Sequence, residues 1–202
     1  MENTQPVRRI HRLCVFCGSS SGARPVYAEA AGELGRELVK SGVTLVFGGG
    51  RVGLMGILAD SVLAAGGEAI GVMPRALVEK EIAHTSLTKL HVVESMHQRK
   101  ALMADLADAF LLLPGGYGSW EEFLEVVTWL QLGIHRKPCA LLNVAGYYDA
   151  LLSQASHAVE EGFLRPTHKE MLIVEENPAR VLSQLESAHV PSEAKWVDPK
   201  ER

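Results

Sequence analysis

The chain has 202 residues, 47% of them hydrophobic and 22% charged, which suits one ordinary globular domain with a buried core. Its net charge of −4 gives no basic footprint for nucleic acid, and it has no apolar stretch of the roughly 18–20 residues that would span a membrane. The polar start MENTQPVRRIHR predicts no signal peptide, and three cysteines are too few for a disulfide scaffold, so we expect a cytoplasmic location.

Short apolar runs alternate with amphipathic stretches along the chain. Runs rich in Val, Ile, Leu and Phe predict strands at residues 10–18, 43–48, 68–73, 89–93, 109–113, 138–143 and 171–175. Helices are predicted over residues 25–42, 53–67, 95–108, 119–133, 147–163 and 177–188. This alternation predicts a doubly wound α/β fold, with a mostly parallel sheet flanked by helices on both faces. We expect one domain over residues 10–189, with polar tails at 1–9 and 190–202.

Small residues follow three of the predicted strands, in FCGSSSG (16–22), FGGGRVGLMG (47–56) and LPGGYGSWEE (113–122). Glycine and serine at a strand end let backbone N–H groups approach an anion, and the next helix adds the partial positive charge of its N-terminus. One such junction is weak evidence, because connections between strands and helices often contain glycine. Three in one chain predict a nucleotide or sugar-phosphate ligand.

Two common nucleotide-binding modes do not fit the glycine spacing. The G-x-G-x-x-G at Gly48, Gly50 and Gly53 follows the second strand, whereas the dinucleotide fingerprint follows the first. Its ribose-binding acid is also missing, since Glu68 lies at the wrong end of the next strand. No Gly-Lys pair occurs in the chain, so it has no P-loop.

Charged residues lie close to the third junction and to the preceding helix. Ser119 and Glu122 fit an S-x-x-E capping box, in which Glu122 would bond to its own helix end. The functional alternative is that the helix dipole keeps Glu122 ionised, so that it stabilises an oxocarbenium-like sugar or orients the attacking water. Arg99 and Lys100 are predicted near the positive end of their helix, where a bound phosphate or an acid such as Glu81 or Glu122 would compensate them.

The cysteines and histidines show no arrangement typical of a metal site. Cys14 and Cys17 lie on the first strand and at its end, with no second pair, and Cys139 lies on another strand. Buried, unreactive thiols are therefore the better interpretation. The eight histidines lack metal-ligand spacing, so we expect no metal site.

Several motifs together resemble the Lonely Guy (LOG) family. They are CVFCGSSSG, FGGGRVGLMG, MHQRKA, LPGGYGSWEEFLEVVTWLQLGIH and NVAGYYDALL, and the resemblance covers residues 10–175. Members of this family, formerly labelled lysine decarboxylases, are cytokinin riboside 5′-monophosphate phosphoribohydrolases. The resemblance implies a Rossmann-like nucleotide-binding catalytic domain, a homodimer and no cofactor. It implies hydrolysis of the N-glycosidic bond of N6-substituted AMP to free base and ribose 5-phosphate.

The resemblance also implies roles for individual residues. Arg99 and Glu122 match the catalytic pair. The matched substrate-binding positions are Glu81, Lys100, Gly115, Gly116, Tyr117, Gly118, Ser119, Glu121 and Thr128, with Ser20, Gly49 and Met55 in the other two loops. Glu79 competes with Glu81 for its role. Ser119 replaces the usual Thr, which keeps the hydroxyl, while Trp120 and Leu130 also depart from the family pattern and affect substrate choice more than reaction type.

Two alternatives to the cytokinin-specific hydrolase stay open at this point. One is a nucleosidase acting on AMP or other purine nucleotides. The other is a non-catalytic nucleotide or cofactor carrier on the same fold, because a fold alone does not define a function. A carrier could keep the glycine loops but would not need both Arg99 and Glu122.

Overall fold

The computed structural model describes residues 8–80 and 83–189. Within these ranges the strands are β1 (Arg12–Phe16), β2 (Thr44–Phe47), β3 (Ala69–Pro74), β4 (Lys89–Val93), β5 (Ala109–Leu112), β6 (Cys139–Leu142) and β7 (Leu172–Glu175). They form one sheet in the order β4-β3-β2-β1-β5-β6-β7, and every neighbouring pair is parallel. All of the predicted strands and the parallel sheet are confirmed.

The helices lie between the strands, as the alternation predicts. They are α1 (Pro25–Lys40), α2 (Gly53–Ala64), α3 (Arg75–Val78), α4 (Met96–Leu106), α5 (Tyr117–Gln131), α6 (Asp149–Glu160), α7 (Pro166–Lys169) and α8 (Pro178–Ser187). A short 3₁₀ turn spans Val144–Gly146. The six predicted helices are confirmed. The prediction missed α3 and α7 because a single helical turn is too short to show a helical period.

Two apolar cores lie on opposite faces of the sheet, and β1 contributes to both. Leu13 and Val15 pack with α1, α2 and α8 on one face, while Cys14 and Phe16 pack with α4 and α5 on the other. Successive side chains of a strand point to opposite faces, so a central parallel strand must be apolar throughout. Because helices pack on both faces, the sheet is fixed and the loops at its carboxyl edge are held in place.

The start of α5 differs from the prediction. The helix begins at Tyr117 with Gly116 as N-cap, so the predicted capping box with Ser119 as N-cap is wrong. Ser119 instead lies inside the first turn and is buried, with its hydroxyl against Gly115, where a Cβ would overlap it. At α4 a serine does cap the helix, because the Ser95 hydroxyl accepts from the backbone N–H of Gln98 at 3.2 Å.

The sheet changes winding direction at its centre. The chain runs outward from β1 through β2 and β3 to β4, and then crosses back to place β5 on the other side of β1. Ligands of such sheets bind outside the carboxyl ends of the strands at this switch point. Here the loops after β1 and β5 are joined by a hydrogen bond from the N–H of Gly18 to the carbonyl of Pro114, at 3.0 Å.

The ends of the chain are described only in part. Residues 1–7 and 190–202, which include most of the predicted N-terminal tail and all of the predicted C-terminal tail, lie outside the described residues. Arg8 is described, and its N–H donates to the carbonyl of Glu186 at 3.2 Å. The division into one domain and two tails stays a prediction. No helix among the described residues is long and apolar enough to cross a membrane.

Candidate active site

A cation and a carboxylate meet beside the switch point. Nη1 of Arg99, from α4, lies 3.1 Å from Oε1 of Glu122, from α5, and the two side chains are only 11% and 12% exposed. Arg99 also donates from Nε to the carbonyl of Val72 on β3, at 3.1 Å. The guanidinium is therefore fixed on two sides, which positions the carboxylate that faces it.

The loop after β2 makes room for this pair. A Cβ on Gly48 would overlap a terminal nitrogen of Arg99, so the position has to be glycine for the guanidinium to lie where it does. Met55 lies on the same side, with its Sδ 3.5 Å from the position that this Cβ would take. Gly49 adopts a φ of +77° and its carbonyl accepts from the N–H of His84 at 2.8 Å. The second glycine loop thus accommodates Arg99.

Glu122 has an unusual electrostatic environment. Burial raises the pKa of its carboxyl above the ordinary value, while the charge of Arg99 acts in the opposite direction. The expectation that the helix dipole keeps Glu122 ionised stays a prediction, and the charge of Arg99 is the strongest influence that favours the ionised form. Glu122 is the sixth residue of α5, beyond the first turn, and desolvation is the dominant influence. A carboxyl with a raised pKa next to a fixed cation is typical of a functional site.

Lys100 is held by acids of α5. Its ammonium contacts Glu121 and lies 3.1 Å from Oε2 of Glu125, with the lysine side chain 11% exposed. Burial acts to lower the pKa of Lys100, but the hydrogen bonds to the two acids outweigh it, so the pKa is raised. These contacts leave Lys100 engaged in joining α4 to α5.

The first and third loops form a cavity of about 360 Å³ on the α1 side of the switch point. Its lining includes the backbone of Gly115 and Gly116, the predicted sugar or base contact Ser20, and the rings of Tyr27 and Tyr147. The helix α5 begins directly after Gly116, so the first backbone N–H groups of this helix lack helical acceptors. Such groups at a glycine loop can bind the oxygens of a phosphate.

The structure brings most of the predicted site residues to this edge, but not all. Thr128 lies six residues beyond Glu122, about 9 Å along α5. Thr128 donates to the carbonyl of Leu124 at 2.7 Å and lines a separate apolar groove between α5 and α6. Glu81 lies outside the described residues, so its predicted role, like that of Thr128, stays a prediction.

Sequence reasoning missed contributions of Tyr147 and Gly48. The hydroxyl of Tyr147 donates to the carbonyl of Gly115 at 2.7 Å. Tyr147 belongs to NVAGYYDALL, a motif that carried the family resemblance but had no role assigned to it. The signal for Gly48 was its place in the glycine motif, which indicates close approach of another group without saying which.

The three cysteines are free and buried, as predicted. Burial raises the pKa of each thiol, and the charge of Glu122 raises the pKa of Cys14 and Cys17 further. Among residues 8–80 and 83–189, no three His, Cys, Asp or Glu side chains cluster in a way that would hold a metal ion.

These features define a Rossmann-like α/β protein with a buried Arg–Glu pair and glycine loops at one edge of its sheet. A family profile described as "Possible lysine decarboxylase" matches residues 55–185. Two relatives from Arabidopsis thaliana are named cytokinin riboside 5′-monophosphate phosphoribohydrolase. One is 51% identical over 92% of this chain and 85% of the relative. The other is 48% identical over 95% of this chain and 90% of the relative.

A relative from Oryza sativa subsp. japonica, named as a probable enzyme of the same kind, is 49% identical over 93% of this chain and 79% of the relative. The chain therefore belongs to the LOG family, as its motifs predict. Among solved structures, a molybdenum cofactor binding protein from Rippkaea orientalis matches with a TM-score of 0.68 at 21% identity, over 89% of this chain and 97% of that one. The molybdenum cofactor carrier protein of Chlamydomonas reinhardtii matches with a TM-score of 0.65 at 18% identity, over 88% and 97%. At these identities the likeness shows the fold alone.

Proposed function

We propose that this protein is a phosphoribohydrolase that cleaves the N-glycosidic bond of cytokinin riboside 5′-monophosphates. The products are the free N6-substituted adenine and ribose 5-phosphate. The observation that carries the proposal is the buried Arg99–Glu122 pair, 3.1 Å apart beside glycine loops at the switch point. A carrier needs the loops but has no use for a desolvated carboxylate, whereas glycoside hydrolysis depends on one. Relatives close to half identical in sequence carry the name of this activity.

In the proposed mechanism the loop at residues 115–119 and the N-terminus of α5 bind the 5′-phosphate. Backbone N–H groups and the partial positive charge of the helix end hold an anion without a metal ligand set. The phosphate then fixes the nucleotide so that its ribose lies toward the Arg99–Glu122 pair. Glu121, Thr128, Met55, Gly49 and Glu81 stay proposed contacts to the rest of the substrate.

Glu122 carries the chemistry in this mechanism. As the C1′–N9 bond breaks, positive charge develops on the sugar, and an ionised carboxylate stabilises it or orients the water that attacks C1′. Arg99 holds Glu122 in place and favours its ionised form against the effect of burial. The departing base takes up a proton, so that water adds OH to the sugar and H to the base.

The direct test is to incubate the purified protein with AMP and, separately, with isopentenyladenosine 5′-monophosphate, and to measure free base by chromatography. We expect isopentenyladenine from the second substrate at a higher kcat/KM than adenine from the first. Equal or greater release of adenine would instead support a nucleosidase that acts on AMP. Release of neither base would exclude hydrolysis of both substrates.

We propose, in addition, a homodimer and a cytoplasmic location. Within the apolar stretch VVTWLQLGIH, Val126 and Leu130 are buried in the core and so are not available for a contact between subunits. Leu124 in α5 and Ile134 just after it are 46% and 65% exposed, and such exposed apolar side chains support a contact between subunits.

A further inference from the structure

Two consecutive tyrosines contact the loop between β5 and α5 from the start of α6. The hydroxyl of Tyr147 donates to the carbonyl of Gly115 at 2.7 Å, and that of Tyr148 donates to the carbonyl of Leu113 at 2.8 Å. The two bonds are alike in type and length but not in location. Tyr148 is 2% exposed, whereas Tyr147 is 37% exposed and its ring lines the 360 Å³ cavity.

The turn that presents these tyrosines is rigid. Ala145 has a φ of +51° and Gly146 a φ of +74°, and a left-handed alanine persists only where surrounding contacts enforce it. Asn143 supplies such contacts, since its Nδ2 donates to Asp149 at 2.7 Å and its Oδ1 accepts from the N–H of Tyr148 at 2.7 Å. The ring of Tyr147 is also fixed by edge-on contacts with Tyr27 and Tyr148, with centroids 5.5 Å and 4.8 Å away.

The two peptides that flank Gly115 are held differently: its N–H, in the peptide before it, faces the hydroxyl of Tyr148, while its carbonyl, in the peptide after it, accepts from Tyr147. A Cβ on Gly115 would overlap the Ser119 hydroxyl and would lie 2.9 Å from the N–H nitrogen of Gly18, so the position must be glycine. Glycine has the widest choice of backbone angles, and a loop built on it needs an external contact to hold one orientation. The hydroxyl of Tyr147 provides that contact at the carbonyl oxygen.

Fixing this carbonyl also fixes the next N–H group. The peptide bond is planar and trans, so the N–H of Gly116 points opposite to the carbonyl of Gly115. Gly116 is the N-cap of α5, and its N–H belongs to the predicted phosphate loop. A phenol on a different element therefore determines how one of the anion-binding donors is aimed.

We propose that Tyr147 is a positioning residue for recognition of the 5′-phosphate. It acts through Gly115 by orienting the peptide between Gly115 and Gly116 before the nucleotide binds. The proposal rests on the proposed function for the identity of the ligand. It extends that function because it makes the preference for a phosphorylated over an unphosphorylated nucleoside depend on one hydroxyl group outside the glycine loop.

The test compares Tyr147→Phe with Tyr148→Phe, which removes a matched hydroxyl from the same turn. Phe keeps the ring contacts in both cases. For Tyr147→Phe we expect KM for the 5′-monophosphate to rise about 3- to 10-fold, the effect of losing one hydrogen bond, with kcat within about 2-fold of wild type. Adenosine lacks the phosphate, so its inhibition constant as a competitive inhibitor should not change.

For Tyr148→Phe the expected pattern is reversed. The buried carbonyl of Leu113 loses its partner, so the melting temperature falls while KM stays close to the wild-type value. An unchanged KM in Tyr147→Phe, or an equal loss of affinity for adenosine and the monophosphate, would overturn the proposal. Calorimetric affinity for AMP in the wild type and in Tyr147→Phe gives the same comparison without turnover. A failure of the proposed function, seen as no base release by the wild type, is therefore distinguishable from a failure of this inference.

Discussion

Two adjacent cations of α4 have different surroundings. Arg99 and the carboxylate it meets, Glu122, are 11% and 12% exposed beside the switch point. Lys100 is equally buried, but its acids are accessible to water, with Glu121 57% and Glu125 28% exposed. Successive residues of a helix point about 100° apart, so neighbours in sequence serve different places. One pair lies at the proposed reaction centre, and the other joins α4 to α5.

The difference in exposure between the two ion pairs indicates which of them has a functional role. An ion pair with exposed partners adds little to stability, about 0–1 kcal/mol, and needs no functional explanation. A pair in which both members are desolvated is weak evidence for stability, because burial of the charges offsets much of their attraction. The pKa of Glu122 is raised chiefly because its carboxyl is buried. We therefore assign the proposed chemistry to the buried pair, while the Lys100 contacts join α4 to α5 and the predicted substrate contacts of Lys100 and Glu121 stay predictions.

The largest effect is expected from Glu122→Gln. The amide keeps the shape but not the charge that stabilises the developing oxocarbenium, so kcat should fall by about 10²-fold or more. Calorimetry should still detect nucleotide binding, because the phosphate loop is untouched. A rate near that of the wild type would show that Glu122 lacks the assigned role.

The matched control is Glu125→Gln, the same change one helical turn further along α5. Glu125 contacts Lys100 and not Arg99, so we expect kcat to stay within about 3-fold of wild type. Equal losses in the two variants would remove the distinction between the two ion pairs.

A somewhat smaller effect is expected from Gly48→Ala. The added methyl group would occupy space taken by the guanidinium of Arg99, whose flexible side chain moves away rather than the backbone. The pair separates, and we expect kcat to fall about 10- to 100-fold, the size of a geometric misplacement near the reacting centre. Steady-state kinetics measures the loss, and the melting temperature checks that the fold survives.

Gly32→Ala is the control for that substitution. It lies in α1 on the other face of the sheet, and its Cβ would meet the Ser61 hydroxyl at an ordinary 3.4 Å. Its kcat should match the wild type. If Gly48→Ala were as active as Gly32→Ala, the guanidinium would not need its present position.

The smallest effect, and one with a definite sign, concerns the pH profile. Because the pKa of Glu122 is raised, activity that requires its carboxylate is lost as pH falls through that raised value. The charge of Lys100 lowers the pKa of Glu122 and the charge of Glu125 raises it. Lys100→Met should therefore move the acid limb of kcat to higher pH, by a small amount because the lysine's partners are accessible to water.

Glu125→Gln should move the same limb in the opposite direction, to lower pH. The kcat profile of each variant, recorded across the acid range with the wild type alongside, measures both shifts. If the acid limbs of Lys100→Met and Glu125→Gln moved in the same direction, this would contradict the proposal that Glu122 controls the acid limb.

The strands were the most predictable part of the molecule. Runs such as AFLLL are buried on both faces, and only a central parallel strand requires that pattern over so few residues. The pairing of Arg99 with Glu122 could also be predicted, because both residues follow strands whose carboxyl ends share one edge of the sheet. Unpaired cations near a helix N-terminus indicated that a compensating acid was needed.

Other features depend on contacts that the sequence does not encode locally. Ser119 fits a capping motif, yet its hydroxyl lies against Gly115 because the N-cap is Gly116, three residues earlier than the motif suggests. The direction of the pKa shift of Glu122 depends on burial by elements distant in sequence. The bond from Tyr147 to Gly115 joins residues 32 apart, and no periodicity predicts it.

The buried thiols have a practical consequence for experiments on this protein. Cys14, Cys17 and Cys139 are enclosed in the sheet and keep their protons, since burial raises the pKa of each. Maleimides and other alkylating reagents attack accessible thiolates, so the native chain should resist them while folded. A fluorophore can therefore be attached to a cysteine introduced at an exposed position such as Glu29 without first replacing the native ones.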